Sequence, residues 1–226
     1  MSAKSKIERL PALACSSRYE RAARNNGYLR VAGLDEAGRG CLFGPVCAAA
    51  VILDPERPIR GLNDSKQIEP GRRAVLAGRI RERALAWAVE FVDAGTIDRI
   101  DILQASRLAM KLALERLAPP PDYLLVDYVT VDSPIEQLPL VHGDARSFSI
   151  AAASILAKVD RDAALAQFDR EFPGYGLASN KGYSSPCHLR ALTERGPTPL
   201  HRFSYAPVRA AAGLGPEQLP LFGSQA

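Results

Sequence analysis

Apolar residues along this chain come in two rhythms. Short dense runs begin near residues 31, 46, 84, 123 and 138, and between them lie longer stretches that repeat an apolar side chain every third or fourth position. The first rhythm predicts strands and the second helices. Val31-Ala32-Gly33-Leu34 leads into Asp35-Glu36 and a Gly38-Arg39-Gly40 turn, after which residues 46–53 run almost continuously apolar, as a strand covered on both faces does. Residues 84–92 read as a third strand, 123–126 as a fourth that delivers Asp127, and 138–141 as a fifth that delivers His142-Gly143-Asp144. Helices are expected over 16–25, stopped by Asn26-Gly27, and over 70–83, opened by Pro70. Others are expected over 96–117, ended by Pro119-Pro120-Pro121, over 149–172 and over 186–195. Three strands in a meander, then helix, strand, strand and helix, define an α/β sheet of mixed strand direction.

Composition narrows this to one main domain. The chain has 226 residues, 47% of them hydrophobic, enough to bury a sizeable core. Its formal net charge of +4 permits an acidic partner such as nucleic acid without demanding one. Cys15, Cys41, Cys47 and Cys187 lack the spacing of a metal knuckle, and no apolar run approaches the roughly 20 residues that span a bilayer. A cytoplasmic protein with no membrane contact is expected.

The chemistry lies in the acids. Neighbouring side chains on a strand point to opposite faces, so Asp35 and Glu36 cannot both enter one core. In mixed and parallel sheets the ligand crevice lies beyond the carboxyl ends of the strands, where Asp127 and Asp144 are expected. Two carboxylates about 4 Å apart repel by roughly 4 kcal/mol at an effective dielectric of 20, so several that converge need a counter-charge. All-oxygen ligands without His or Cys suit Mg²⁺ or Mn²⁺.

A set of motifs occurs together and in order: Asp35-Glu36-Ala37-Gly38-Arg39-Gly40, Asn63-Asp64-Ser65-Lys66, Val126-Asp127, Gly143-Asp144-Ala145-Arg146-Ser147, Ser149 to Val159 with Arg161-Asp162, Asn180-Lys181-Gly182-Tyr183, and Gly196 to Arg202. From about Tyr28 to Val208 this resembles the ribonuclease HII (type 2 ribonuclease H) family. The segment before Tyr28 is too short for the extra domain of type 3 enzymes. The resemblance implies a ribonuclease H-like fold, with a five-stranded mixed sheet flanked by helices and a C-terminal helical segment. It divides the chain into an N-terminal extension (1–27), a catalytic domain (28–208) and a flexible tail (209–226).

By the same resemblance Asp35, Glu36, Asp127 and Asp144 are the catalytic acids and hold two divalent ions, with Asp144 nearest solvent. The implied activity is endonucleolytic cleavage of the RNA strand of RNA–DNA hybrids and of the 5′ side of single ribonucleotides in duplex DNA, leaving 3′-hydroxyl and 5′-phosphate ends. Gly38, Arg39 and Gly40 are implied to contact the 2′-hydroxyl and adjacent phosphate, Tyr183 to lie against the neighbouring sugar, and Lys66, Lys181 and Arg202 to meet phosphates. The chain departs from the family pattern at Tyr128, His142 and Asn180. Gln218-Leu219-Pro220-Leu221-Phe222 resembles the peptide with which bacterial replication proteins enter the sliding clamp, so Gln218, Leu219, Leu221 and Phe222 are clamp-docking candidates on an otherwise monomeric protein. Two alternatives stand beside this reading: a DNA nuclease of the same fold, such as a resolvase or integrase, and a non-catalytic, clamp-tethered hybrid-binding module.

Overall fold

The computed structural model describes residues 14–215. Its strands are β1 (Val31–Ala37), β2 (Val46–Ile52), β3 (Ala86–Val92), β4 (Tyr123–Asp127) and β5 (Gln137–Leu140), in one sheet of spatial order β3-β2-β1-β4-β5. β1, β2 and β3 form the antiparallel meander; β4 runs parallel to β1, and β5 parallel to β4. Every residue of β2 is buried, because both faces are covered. Ala48, Ala50 and Ile52 join the cluster under helix α4 (Ile102–Glu115) with Ala105, Ala109 and Met110. Cys47, Ala49 and Val51 face helices α2 (Pro70–Arg83) and α5 (Phe148–Glu171), meeting Leu76, Ile80 and Leu156. That explains why the segment reads as continuously apolar rather than alternating.

The expected helix over 96–117 is two helices, α3 (Ala94–Ile100) and α4. Asp101 breaks it at φ 67°, and its carboxylate accepts hydrogen bonds from the Leu103 and Gln104 amides, capping α4. The expected first helix is α1 (Arg18–Asn25), docked on the fold through Glu20. This buried carboxylate accepts hydrogen bonds from the Ser147 hydroxyl (2.7 Å) and the Ser149 amide (2.8 Å) at the start of α5. A third cluster, with Leu42, Phe43, Leu165, Tyr175, Leu192 and Phe203, holds α6 (Leu177–Asn180), α7 (Pro186–Arg195) and α8 (Ala206–Ala211) against the loop after β1. Helix α8 carries the ordered fold past residue 209, where the tail was expected to begin. Among the described residues no helix is long and apolar enough to cross a membrane.

Candidate active site

β1 and β4 bring the first acids together by register. The last paired residues are Leu34 and Val126, so the next residue on each parallel strand is an aspartate, Asp35 and Asp127. Gly33, on the same face as Asp35, lets β1 lie against the start of α5: a Cβ there would sit 2.1 Å from the Ser149 carbonyl carbon. Two strand residues advance about 7 Å, and five helical residues about the same. The helix residue beside Asp35 is therefore Ser154, whose hydroxyl bonds to the Asp35 carboxylate and lies 2.9 Å from the Ser65 hydroxyl. Asp35 also accepts from the Glu36 amide at 2.7 Å.

Asp127 accepts from the Gly143 amide at 2.7 Å. Glycine is required there, since a Cβ would meet Ile150 Cδ1 at 2.5 Å and Asp127 Oδ1 at 3.2 Å. Asp144 follows in a single 3₁₀ turn (Gly143–Ala145) and contacts Asp64, a fifth carboxylate, as well as the Lys66 ammonium at 3.7 Å. Asp144 is buried, at 5% exposure, rather than the most solvent-facing of the acids.

These groups lie within one another's electrostatic reach. Burial first, then Glu36, Asp127 and Asp144, push the Asp35 carboxyl well above the usual range. Glu36 is raised by burial against the pull of Arg39, whose Nη1 lies 3.4 Å from Glu36 Oε1. Asp127 is raised by burial against the Gly143 amide and Lys66, and Asp144 by burial, Asp64 and Asp127. Burial works to lower Lys66, yet Asp144, Asp64, Asp35 and Asp127 together raise it.

Such a cluster is short of positive charge, and the buried Glu36 Oε2 has no hydrogen-bond partner. Among the described residues no three His, Cys, Asp or Glu side chains are arranged to hold a metal ion by themselves. The donor set nonetheless fits a hard cation such as Mg²⁺, which takes one or two carboxylates and completes its octahedron with water and substrate phosphate.

Beside the acids, two loops meet. Gly40 is exposed, and its absent Cβ would lie 3.9 Å from Tyr183 Cε1, so the ring, 44% exposed, stands next to the Gly38-Arg39-Gly40 turn. The Leu42 amide donates to the Gly182 carbonyl at 2.8 Å. Arg161, wholly buried on α5, pins both loops: its guanidinium donates to the Pro45, Lys181 and Phe43 carbonyls at 3.0, 2.9 and 3.1 Å. Gly38 is glycine on account of this arginine, for a Cβ would fall 1.9 Å from Arg161 Nε, at φ +95°. Asn180 holds the second loop, donating to the Tyr175 carbonyl and accepting from the Gly182 amide.

The structure thus gathers Asp35, Glu36, Asp127, Asp144, Lys66, Gly38, Arg39, Gly40 and Tyr183 at one end of the sheet. Lys181 adjoins them at φ 55° and contributes its carbonyl. Arg202 is a correction: its side chain is fully buried, and its guanidinium donates to the Gly44 and Arg39 carbonyls, so it presents no surface to a duplex phosphate. Gln218, Leu219, Leu221 and Phe222 lie outside the described residues. Ser154, Ser65, Asp64 and Arg161 escaped the sequence reading of the site, although all four stand inside the quoted motifs.

Carboxylates at the ends of adjacent parallel strands, with a cationic and aromatic loop beside them, define a nuclease of the ribonuclease H-like α/β class. A ribonuclease HII family model matches residues 32–208. A ribonuclease HII from Solibacter usitatus is 61% identical over 196 residues, covering 87% of this chain and 86% of that protein. The chain belongs to the ribonuclease HII family. Among solved structures it resembles ribonuclease H2 from Pyrococcus horikoshii, with TM-score 0.70, 25% identity, and 82% and 98% of the two chains covered. It also resembles the Archaeoglobus fulgidus ribonuclease HII solved in complex with PCNA, with TM-score 0.67, 26% identity, and 78% and 95% covered. A Bst ribonuclease HIII solved with Mn²⁺ shares the fold at 21% identity and TM-score 0.66, with 94% and 76% covered.

Proposed function

We propose that this protein is a metal-dependent endoribonuclease of the cytoplasm that cuts the RNA strand of RNA–DNA hybrids and the 5′ side of single ribonucleotides in duplex DNA. The products carry 3′-hydroxyl and 5′-phosphate ends. The observation that supports it best is the placement of Asp35 and Asp127 one residue past the last β1–β4 pair, with Glu36 and Asp144 in the same field. Asp35, Glu36, Asp127 and Asp144 would hold two divalent ions, Mg²⁺ or Mn²⁺. When bound, these supply Lewis-acid chemistry that makes water nucleophilic near neutral pH and neutralises the departing oxygen.

The chain's own residues do the rest. Ser154 and the Gly143 amide orient Asp35 and Asp127. Lys66 places positive charge at the mouth of the cleft, where it positions phosphate without reading bases. Only the 2′-hydroxyl tells RNA from DNA at one nucleotide; the Gly38-Arg39-Gly40 turn meets it, and the Tyr183 ring packs on the neighbouring sugar. The catalytic unit is taken as residues 28–208. The segment from Gln218 to Phe222 is proposed to dock on a sliding clamp, which deletion of residues 218–226 and a clamp-binding assay would test.

The decisive experiment uses a duplex with one ribonucleotide and an all-DNA control, with Mg²⁺ or with EDTA. Cutting of the ribonucleotide duplex alone, abolished by EDTA, is expected. Equal cutting of the control would make the protein a DNA nuclease of this fold, and binding without cutting a non-catalytic hybrid binder.

A further inference from the structure

Arg202 and Tyr205 converge on a single peptide group. The Arg39 carbonyl accepts hydrogen bonds from Arg202 Nη1 at 2.8 Å and from the Tyr205 hydroxyl. Arg202 Nη1 also donates to the Tyr205 oxygen at 3.2 Å, its Nε donates to the Gly44 carbonyl at 2.9 Å, and its own amide donates to the Leu42 carbonyl at 2.8 Å. One buried residue thus grips the turn after β1 at three carbonyls. No carboxylate pairs with Arg202 among the described residues, so its guanidinium is directed at the Arg39 and Gly44 carbonyls and the Tyr205 hydroxyl, with Nη2 left without a partner.

The other half of that peptide is the Gly40 N–H. A planar trans peptide fixes the N–H opposite to its carbonyl, so anchoring the oxygen on a buried cation aims the hydrogen away from it. A cation on the carbonyl also polarises the amide and strengthens the hydrogen bond its N–H gives. Among the described residues no acceptor takes the Gly40 N–H, Gly40 is exposed, and the Tyr183 ring stands beside it. A free, polarised donor next to an aromatic face matches a sugar hydroxyl.

We infer that Arg202 and Tyr205 are positioning residues that fix and polarise the Arg39–Gly40 peptide as the donor that recognises the ribose 2′-hydroxyl. This rests on the ribonucleotide-cleaving reading above. The test compares full-length wild type with Tyr205→Phe and Arg202→Lys. Binding of fluorescein-labelled duplexes that differ by a single 2′-hydroxyl is measured by anisotropy in Ca²⁺, alongside cleavage rates in Mg²⁺ and thermal stability.

Tyr205→Phe is expected to cut the preference for the ribonucleotide duplex, in affinity and in kcat/KM, by about fivefold. Its Tm should fall by no more than about 4 °C, and its affinity for all-DNA duplex should stay at the wild-type value. Arg202→Lys, which keeps charge but not the two-carbonyl grip, should lose more. If Arg202→Lys does not fold, Tyr205→Phe still decides. A preference unchanged in Tyr205→Phe, or an equal loss on both duplexes, overturns the inference while wild type still cuts at the ribonucleotide. Wild type that neither prefers nor cuts that duplex overturns the functional reading and this inference with it.

Discussion

Asp35 concentrates the conflict between stability and activity at a single side chain. It is 4% exposed, ringed by Glu36, Asp127 and Asp144, and raised well above the ordinary carboxylate range by burial and those neighbours. Asp35→Asn removes one charge from the cluster and keeps the shape. It should lower cleavage by about a thousandfold or more and raise Tm in EDTA by about 3 °C, read by calorimetry. Asp35, Glu36 and Asp127 stood out because each follows an apolar strand, but their role, and that of Asp144, was implied only by the resemblance of the ordered motifs. Arg202 was misread because a sequence prints the charge of an arginine and not its burial. Tyr128 offers a second residue-scale test. It adopts φ 61°, a conformation that favours glycine, and its side chain is exposed, so the left-handed backbone is borne with little packing in return. Tyr128→Gly should raise Tm by about 2 °C.

At the scale of elements, the close seating of α5 on β1 is what lets Ser154 reach Asp35. Gly33→Ala puts a methyl 2.1 Å from helix backbone that has no side chain to swing aside. Urea unfolding should show a loss of at least about 3 kcal/mol, together with loss of cleavage. The strands and the mixed direction of the sheet were readable from the two apolar rhythms, whereas the order β3-β2-β1-β4-β5 appears only in the structure. The split between α3 and α4 was not, because Asp101 sits inside an otherwise helical pattern and becomes a cap only through its positive φ. The Ser65–Ser154 contact was equally hidden, since it joins positions 89 residues apart through a run of small residues that reads simply as core.

Across the whole molecule, the C-terminal helices are fastened to the substrate-side loop by two buried histidines. His188 Nδ1 donates to the Tyr183 carbonyl at 2.8 Å, so its Nε2 accepts from His201 Nε2 at 3.1 Å, and His201 Nδ1 accepts from the Thr198 amide at 2.9 Å. Both rings are therefore neutral. Burial and the neighbouring His188 hold His201 down at about 3, and burial lowers His188 as well. The unfolded chain then binds more protons than the folded one below about pH 6.5, so this stability is complete above that pH and drains away toward pH 3. The raised carboxylates act in the opposite direction, so the histidine contribution is the difference between wild type and His201→Asn. Wild-type unfolding free energy should fall more steeply on acidification, by up to about 1.4 kcal/mol per pH unit. A common slope would show that His201 is protonated in the folded protein.

The proposed cleavage depends on divalent cations binding among Asp35, Glu36, Asp127 and Asp144. The most direct measurement is anomalous diffraction at the manganese edge from crystals of the full chain with Mn²⁺ and a non-cleavable ribonucleotide duplex. Two peaks among those four carboxylates are predicted, with the scissile phosphate between them and with both peaks weakened or absent in Asp35→Asn. Manganese density elsewhere, or none at these acids with the duplex in place, would contradict it.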